Sequence, residues 1–284
     1  MIMRILLATL ALASTCISAM PGPYAPAAGQ PGSTAIASDD ERILRWATGV
    51  SAFARGYQDI SGETEDVGFA LTAWGGATSA IGPADEDGAN YEDPDAPRGV
   101  VSLGDGGSIT LTFGQPFGNG PGPDLAVFEN AFTDSFLELA FVEVSSNGTT
   151  FHRFSAISLT QTDNQAVQWD TTTLLDPTNI HNLAGKYRRG FGTPFDLAEL
   201  AGIDELDIMA ITHVRIIDVV GSIDPLYARY DSLGNMINDP WRTPFENGGF
   251  DLDAVAVMNV PEPGALFCWL AGALALAVRR TRRA

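Results

Sequence analysis

The sequence predicts an all-β protein, an antiparallel jelly roll or β-sandwich, and two observations carry that prediction. Residues 108–113 alternate polar and apolar side chains, which is typical of a half-buried strand, and similar short segments recur along the chain. Turn-rich stretches of Gly and Pro, such as 118–124, separate these segments. Many short strands joined by such turns favour two antiparallel sheets packed on each other.

The other strands follow in chain order. We expect them at residues 125–128, 139–144, 150–154, 213–220 and 251–259. Asn147-Gly148 lies between two of these segments and predicts a hairpin, because both residues tolerate positive φ. The sequence Asp196-Leu197-Ala198-Glu199 has the form of a capping box and predicts one short helix.

The first residues predict export. Arg4 is the only charged residue among the first 38, an apolar run over 5–13 follows it, and small residues lead to Ala19. This order is typical of a secretory signal peptide, here over residues 1–19. Residues 20–38 are rich in Pro, Gly, Ala and Ser, so we expect a flexible linker there. One domain is then expected over 39–259, because no repeat or second linker divides that stretch.

Residues 260–284 have three parts in a fixed order. Pro261, Glu262 and Pro263 come first, and an apolar run over 264–278 follows. The segment ends on four arginines: Arg279, Arg280, Arg282 and Arg283. As a helix the apolar run is about 22 Å long, short of a hydrocarbon core of about 30 Å. The arginines would hold its end on the cytoplasmic side of a membrane.

That order resembles the PEP-CTERM sorting signal, with its transmembrane helix and arginine cluster. The resemblance implies a Gram-negative bacterium and a precursor anchored transiently in the inner membrane. It further implies an exosortase as the processing partner and a final place at the cell surface, in exopolysaccharide or biofilm matrix. Cys16 and Cys268 both lie in the end segments, so no disulfide is expected in the domain.

The middle of the chain carries a second resemblance. Residues 100–111, 120–130 and 249–255 are similar to a pattern in bacterial cell-surface proteins of unassigned function. Those proteins are similar to galactose-binding-like jelly rolls, the fold of many carbohydrate-binding modules. The resemblance spans roughly residues 45–259 and implies that fold, with a glycan as one class of ligand.

The acidic charge argues against nucleic acid as a partner. The net charge is −19, and of the 35 Asp and Glu residues only Glu262 lies in an end segment. Such a surface repels phosphate and makes divalent cations plausible partners, although strong charge also keeps an exported protein dispersed.

Several oxygen-bearing side chains are candidate ligands for Ca²⁺, which prefers carboxylate and carbonyl oxygens. A turn-prone segment supplies three of them and predicted strands supply the others: Asp231, Asn235, Asp239, Asp218, Asp251 and Asp253. Simple alternation would place Asp251 and Asp253 on the same face as Val255 and Val257. A carboxylate on an apolar face needs a cation, an arginine, backbone N–H groups or water. The acidic run 85–93 is either a second calcium loop or a solvated loop.

Signatures of enzymes are absent from the sequence, and we expect no catalytic residues. The three histidines do not form His-Glu-x-x-His, and no Gly-x-Ser-x-Gly elbow or phosphate loop is present.

A sugar site needs aromatic side chains beside hydrogen-bonding groups. Trp74 and Trp241 are the candidates for these aromatic side chains. Other available aromatic residues are Trp169, Tyr91 and Tyr227. The expected function is therefore non-catalytic binding of a glycan or partner at the cell surface. A secreted carbohydrate-active hydrolase, which needs only two suitably placed carboxylates, and a purely structural matrix protein are the alternatives.

Overall fold

The computed structural model describes residues 21–84, 99–161, 164–167 and 174–259, and over these the chain is all-β and antiparallel. Three 3-10 helices, Ala77–Ala80, Pro177–Asn179 and Leu197–Leu200, accompany the strands. The strands are β1 (Ile36–Ala37), β2 (Arg45–Trp46), β3 (Gly49–Ala54), β4 (Val101–Ser102), β5 (Ser108–Phe117), β6 (Leu125–Glu129), β7 (Ala140–Ser145), β8 (His152–Arg153), β9 (Ile157–Ser158), β10 (Ile180–His181), β11 (Phe191–Phe195), β12 (Ile211–Asp218) and β13 (Asp251–Val257).

Two main sheets contain most of these strands. One has the order β1-β11-β6-β13-β2, with β4 also paired to β13, and the other has the order β3-β5-β12-β7-β8. Strands β9 and β10 form a small separate ribbon. Strand β12 pairs antiparallel with both β5 and β7, and β13 pairs antiparallel with β6. The end of one strand therefore lies beside the start of its neighbour.

The two sheets share one apolar core. Leu125, Val127 and Val255 of the first sheet pack in the same buried cluster as Leu111 and Val214 of the second. Each such side chain contributes roughly 1.5–3 kcal/mol when it leaves water. Since the described residues include no cysteine, this burial and the strand hydrogen bonds hold the domain together.

The strands β5, β6, β7, β12 and β13 lie on predicted segments, as do the local motifs, whereas β3 and β11 were not predicted. The hairpin at Asn147-Gly148 joins β7 to β8, although only Gly148 has positive φ, at 75°. The side chain of Asn147 instead accepts hydrogen bonds from the main-chain N–H groups of Thr149 and Thr150. Asp196 caps the helix Leu197–Leu200 by accepting from the N–H of Ala198, and that helix is of the 3-10 type.

Residues 21–38 are packed onto the domain, so the prediction of a flexible linker there is corrected. The N–H of Tyr24 donates to the carbonyl oxygen of Thr178 at 3.0 Å. Ile36 is 2% exposed and lies in β1, which pairs with β11 at the edge of the first sheet. A composition rich in Pro and Gly is compatible with turns that direct a chain onto a sheet edge as well as with flexibility.

Simple alternation also fails at the start of β13. The register shifts between Leu252 and Ala254, which is a β-bulge at Asp253. As a result Leu252 lies in the same core cluster as Val255 and Val257. The predicted shared face of Asp251 and Asp253 with those valines therefore does not hold, because the bulge adds one residue to the strand.

The described residues include no helix that is long and apolar enough to cross a membrane. The signal peptide predicted over 1–19 and the sorting segment predicted over 260–284 lie outside those residues. The acidic run 85–93 and Trp169 lie outside them too.

Candidate functional site

Buried carboxylates gather at one end of the two sheets. Glu129 ends β6, Asp218 ends β12, and Asp251 begins β13, while Glu138 and Asp105 come just before β7 and β5. Antiparallel pairing brings these strand ends together. We call the group the acidic cluster, and it comprises seven side chains that are each no more than 8% exposed: Asp105, Glu129, Glu138, Asp218, Asp239, Asp251 and Asp253.

Asp218 is the best-satisfied member of the acidic cluster. Its carboxylate accepts backbone N–H bonds from Gly106 at 2.9 Å, Val220 at 2.8 Å and Phe250 at 2.9 Å. Phe250 precedes β13, so Asp218 ties the second sheet to the first. Burial raises the pKa of Asp218 to about 6 even though these three donors favour the ionised form.

Asp105 has two donors. Its Oδ2 atom accepts from the N–H of Ile60 at 2.8 Å and from Nε1 of Trp241 at 3.1 Å. Burial, followed by the charge of Asp218, raises the pKa of Asp105 to about 8.

Glu129 and Glu138 have few hydrogen-bond partners among the described residues. Oε2 of Glu129 accepts from the N–H of Ala131 at 2.8 Å, whereas its buried Oε1 has no hydrogen-bond partner. No hydrogen bond reaches the Glu138 carboxylate from the part of the chain that the structure describes. Burial and then the charge of Asp251 raise the pKa of both glutamates well above the usual value.

The remaining members extend the same pattern. Asp251 accepts from the hydroxyl of Ser102, and burial raises its pKa to about 7. Asp239 accepts from the N–H of Leu139 at 2.9 Å, and burial followed by the charge of Asp218 raises its pKa well above the usual value. Asp253 is 4% exposed, and its charge adds to the raised pKa of Glu129.

Positive charge near the acidic cluster is sparse. Arg229 is the cation whose charge acts on Asp218. Arg55 donates to the carbonyl oxygens of Trp74, Gly75 and Ser102 rather than to a carboxylate. Over the described residues, no three His, Cys, Asp or Glu side chains already stand in an arrangement that could hold a metal ion.

Asp231 and Asn235 form a separate, closed loop. Oδ1 of Asp231 accepts from the N–H groups of Leu233 at 2.9 Å and Asn235 at 2.8 Å. Its Oδ2 accepts from the N–H of Ser158 at 3.0 Å and from Nδ2 of Asn235 at 3.1 Å. Burial alone would raise the pKa of Asp231, but these hydrogen bonds outweigh burial and lower it. The predicted calcium set is thus split, with Asp239, Asp218, Asp251 and Asp253 in the acidic cluster.

The two predicted ligand-binding tryptophans are Trp241 and Trp74, and both lie in the described part of the domain. Trp241 is 8% exposed, donates to Asp105, and packs on Tyr227 with the ring centroids 5.7 Å apart. Trp74 is half-buried, and its main-chain N–H donates to the carbonyl oxygen of Glu246 at 2.9 Å. Neither residue lines the groove described next.

An open groove of about 570 Å³ lies where the N-terminal segment crosses β10 and β11. We call it the Tyr24 groove, and its lining includes Tyr24, Thr34, His181, Lys186, Thr193 and Glu199. The rings of Tyr24 and His181 stack with their centroids 5.0 Å apart and their planes 10° from parallel. The groove therefore presents aromatic rings beside groups that can form hydrogen bonds.

One polar group in the Tyr24 groove is unsatisfied. Thr193 is only 3% exposed, and its buried hydroxyl oxygen has no hydrogen-bond partner among the residues that the structure describes. Three other polar groups of the groove have protein partners. The hydroxyls of Thr34 and Tyr187 lie 2.9 Å apart, and Nζ of Lys186 donates to the carbonyl oxygen of Ile180 at 2.8 Å. Burial lowers the pKa of Lys186 to about 8 and also lowers the pKa of His181.

Sequence reasoning missed Glu129, Glu138 and Asp105, and it missed the Tyr24 groove. Glu129 directly follows the apolar residues 125–128. An acid at the end of a predicted buried strand could therefore have identified Glu129 as a candidate. Tyr24 was not considered as a site residue because residues 20–38 were predicted to be a flexible linker. Thr193 had no signal, because its environment is made by residues distant in sequence.

Comparisons with protein-family models, with curated proteins and with solved structures returned no match to this chain. The class of protein is described by its fold: it is an all-β domain of antiparallel sheets, with the acidic cluster at one end and the Tyr24 groove at an edge.

Proposed function

We propose that the chain is an exported cell-surface or matrix protein whose domain, a galactose-binding-like jelly roll, binds a glycan without cleaving it. Export is supported by the signal-like residues 1–19 and by the order of motifs over 260–284. On this proposal the inner membrane holds the precursor transiently, an exosortase processes it, and the domain then joins the exopolysaccharide outside the cell.

The Tyr24 groove is the observation that carries the glycan proposal. The apolar face of a sugar ring packs on an aromatic ring, while its hydroxyl groups exchange hydrogen bonds with polar side chains. The stacked rings of Tyr24 and His181 supply the first feature. Polar side chains that line the groove, among them Thr34, Asn182 and Glu199, supply the second.

The size and charge of the groove agree with a sugar. Its volume of about 570 Å³ falls in the usual range for small-ligand sites. Arg42 and Lys186 line it together with Asp196 and Glu199, so charges of both signs face the ligand. A neutral or mildly acidic glycan suits this mixture better than a densely charged polymer.

The test is a glycan array probed with the purified protein, followed by calorimetry on the best ligand. Tyr24→Ala is expected to weaken binding at least tenfold, because the stacking surface is lost. Tyr24→Phe keeps the ring and is expected to retain most of the affinity. Tyr230→Ala is the matched control, since Tyr230 is 47% exposed and does not line the groove.

Other outcomes would replace the proposal. Release of reducing ends by the wild type, lost in Glu199→Gln, would make the protein a hydrolase. Absence of binding to every glycan on the array would leave a structural matrix protein. Binding that Tyr24→Ala does not weaken would move the site away from this groove.

A further inference from the structure

We infer that the acidic cluster binds a calcium ion through Glu129, Glu138, Asp251 and Asp253, and that the ion ties the two sheets together at this end. The inference concerns a different part of the domain from the Tyr24 groove and does not depend on glycan binding.

The first support is the unsatisfied oxygen of Glu129. Oε1 of Glu129 is buried, the residue is 1% exposed, and no donor among the described residues reaches that atom. Asp251 and Asp253 are the carboxylates whose charges act on Glu129. A buried acceptor without a donor costs free energy unless a cation or a ligand occupies the space beside it.

The second support is the imbalance of charge. The charges of four buried acids act on Glu138: Asp251, Glu129, Asp239 and Asp218. Arg229 offsets only part of this, and it does so at Asp218. Ionised carboxylates in such a place repel one another and have lost their water, whereas a divalent cation removes both penalties.

The donor chemistry selects calcium. The four proposed ligands are all carboxylates, and Ca²⁺ takes six to eight oxygen ligands in flexible geometry. Zinc prefers nitrogen and sulfur, and magnesium demands a tighter octahedron and keeps more of its water. Asp218 is left out of the set because three backbone N–H groups already occupy its carboxylate.

Side-chain movement must complete the site, because the described carboxylates do not yet stand in a metal-holding arrangement. Glu129 and Glu138 each have three side-chain torsions, so their carboxylates can converge while the strands stay in place. Glu129 belongs to the first sheet, and Glu138 lies two residues before the start of β7 in the second. An ion held by both would therefore cross-link the sheets.

Calorimetric titration of the EDTA-treated, dialysed protein with calcium chloride is the direct test. We expect saturable binding, and a melting temperature about 5–10 °C higher at a calcium concentration 100 times the Kd. Glu129→Gln and Asp251→Asn are expected to weaken calcium binding at least tenfold. Asp66→Asn, which removes an exposed carboxylate, is the matched control and should leave binding unchanged.

The direction in which Glu129→Gln changes the melting temperature, in EDTA and in calcium, distinguishes a calcium ligand from a structural carboxylate. In EDTA, Glu129→Gln should melt at the same temperature as the wild type or higher, because it removes repulsion. In calcium, it should melt lower, because the ion is bound more weakly.

Three results would overturn the inference. One is the lack of any calcium binding at millimolar concentration by folded wild-type protein. Another is an equal response to magnesium, which would remove the assignment to calcium. The third is an equal loss of melting temperature in Glu129→Gln with and without calcium. If Glu129→Gln does not fold, Asp251→Asn supplies the same comparison.

Discussion

Asp231 and Asp105 are both buried aspartates in a strongly acidic chain, yet their surroundings act on them in opposite directions. Asp231 accepts four hydrogen bonds from one loop and from Ser158, and its pKa is lowered. Asp105 accepts two, faces other acids, and has its pKa raised to about 8. The number of donors within reach, and not burial alone, decides whether a carboxylate is stable as an anion.

The same comparison distinguishes a closed loop from a site with capacity for a ligand. In the Asp231 loop every carboxylate oxygen already has protein donors, so nothing further is required. In the acidic cluster Glu129 retains an oxygen without a donor. Acidic residues at regular spacing look alike in the sequence, and their hydrogen-bond donors separate them.

The largest expected effect that tests this comparison is on how the free energy of unfolding depends on pH. It is measured in EDTA, so that no cation is bound. Asp105 has a folded-state pKa near 8 against about 3.9 when unfolded, so the folded state holds more protons between these values. Stability should therefore fall as pH rises from 5 to 8, by a few kcal/mol from Asp105 alone. Asp105→Asn should remove that share of the slope and leave the share of the other acids whose pKa is raised, such as Glu129, Glu138 and Asp251. Urea unfolding at several pH values measures it.

Asp231 should behave oppositely in the same experiment. Its lowered pKa contributes stability above pH 4 that is lost only as the pH falls below that value. Asp231→Asn should therefore leave the slope between pH 5 and 8 unchanged. Parallel curves for the wild type and Asp105→Asn would show that Asp105 is not the source of the slope.

Asp231→Ala should be the next largest change. It leaves the N–H groups of Ser158, Leu233 and Asn235 without their acceptor, at a cost of about 3 kcal/mol in the free energy of unfolding. Urea unfolding at pH 7 measures this cost. The loss should be the same in EDTA and in calcium, and a calcium-dependent loss would instead connect the Asp231 loop to the metal.

Trp241→Phe should have the smallest effect. It keeps most of the ring but removes the Nε1–H donor to Asp105, which costs about 1 kcal/mol in the free energy of unfolding. Thermal melts at pH 8 measure this. Glycan affinity should change by less than about twofold, because Trp241 does not line the Tyr24 groove. A large loss of glycan binding with unchanged stability would return Trp241 to the role of a ligand-binding residue.

The strands were the most predictable part of the fold, because alternation depends on neighbours in the sequence. The strands β5, β6, β7, β12 and β13 all lie on predicted segments. The packing of Ile36 onto β11 was not predictable from composition, since pairing at a sheet edge depends on a strand about 155 residues away. The bulge at Asp253 was missed for the same reason, because a bulge is a property of two paired strands.

The candidate sites were less predictable than the strands. Asp218, Asp251 and Asp253 could be selected because acids in apolar strands need partners. The charge of Glu129 acts on Glu138 although β6 and β7 belong to different sheets, so this interaction depends on how the two sheets pack and not on a local pattern. The Tyr24 groove joins residues from the N-terminal segment to residues near 181–199, and no local pattern connects them.

The sequence by itself determined the all-β class, the positions of the long strands, the acidity of the domain and the absence of cysteine from it. These follow from composition and from periodicity over a few residues. The tertiary structure alone decided which carboxylates are satisfied and which are crowded, and where an aromatic ring meets an unsatisfied hydroxyl. Those properties depend on donors and charges within a few ångströms in space, and strand pairing brings such groups together from distant parts of the chain.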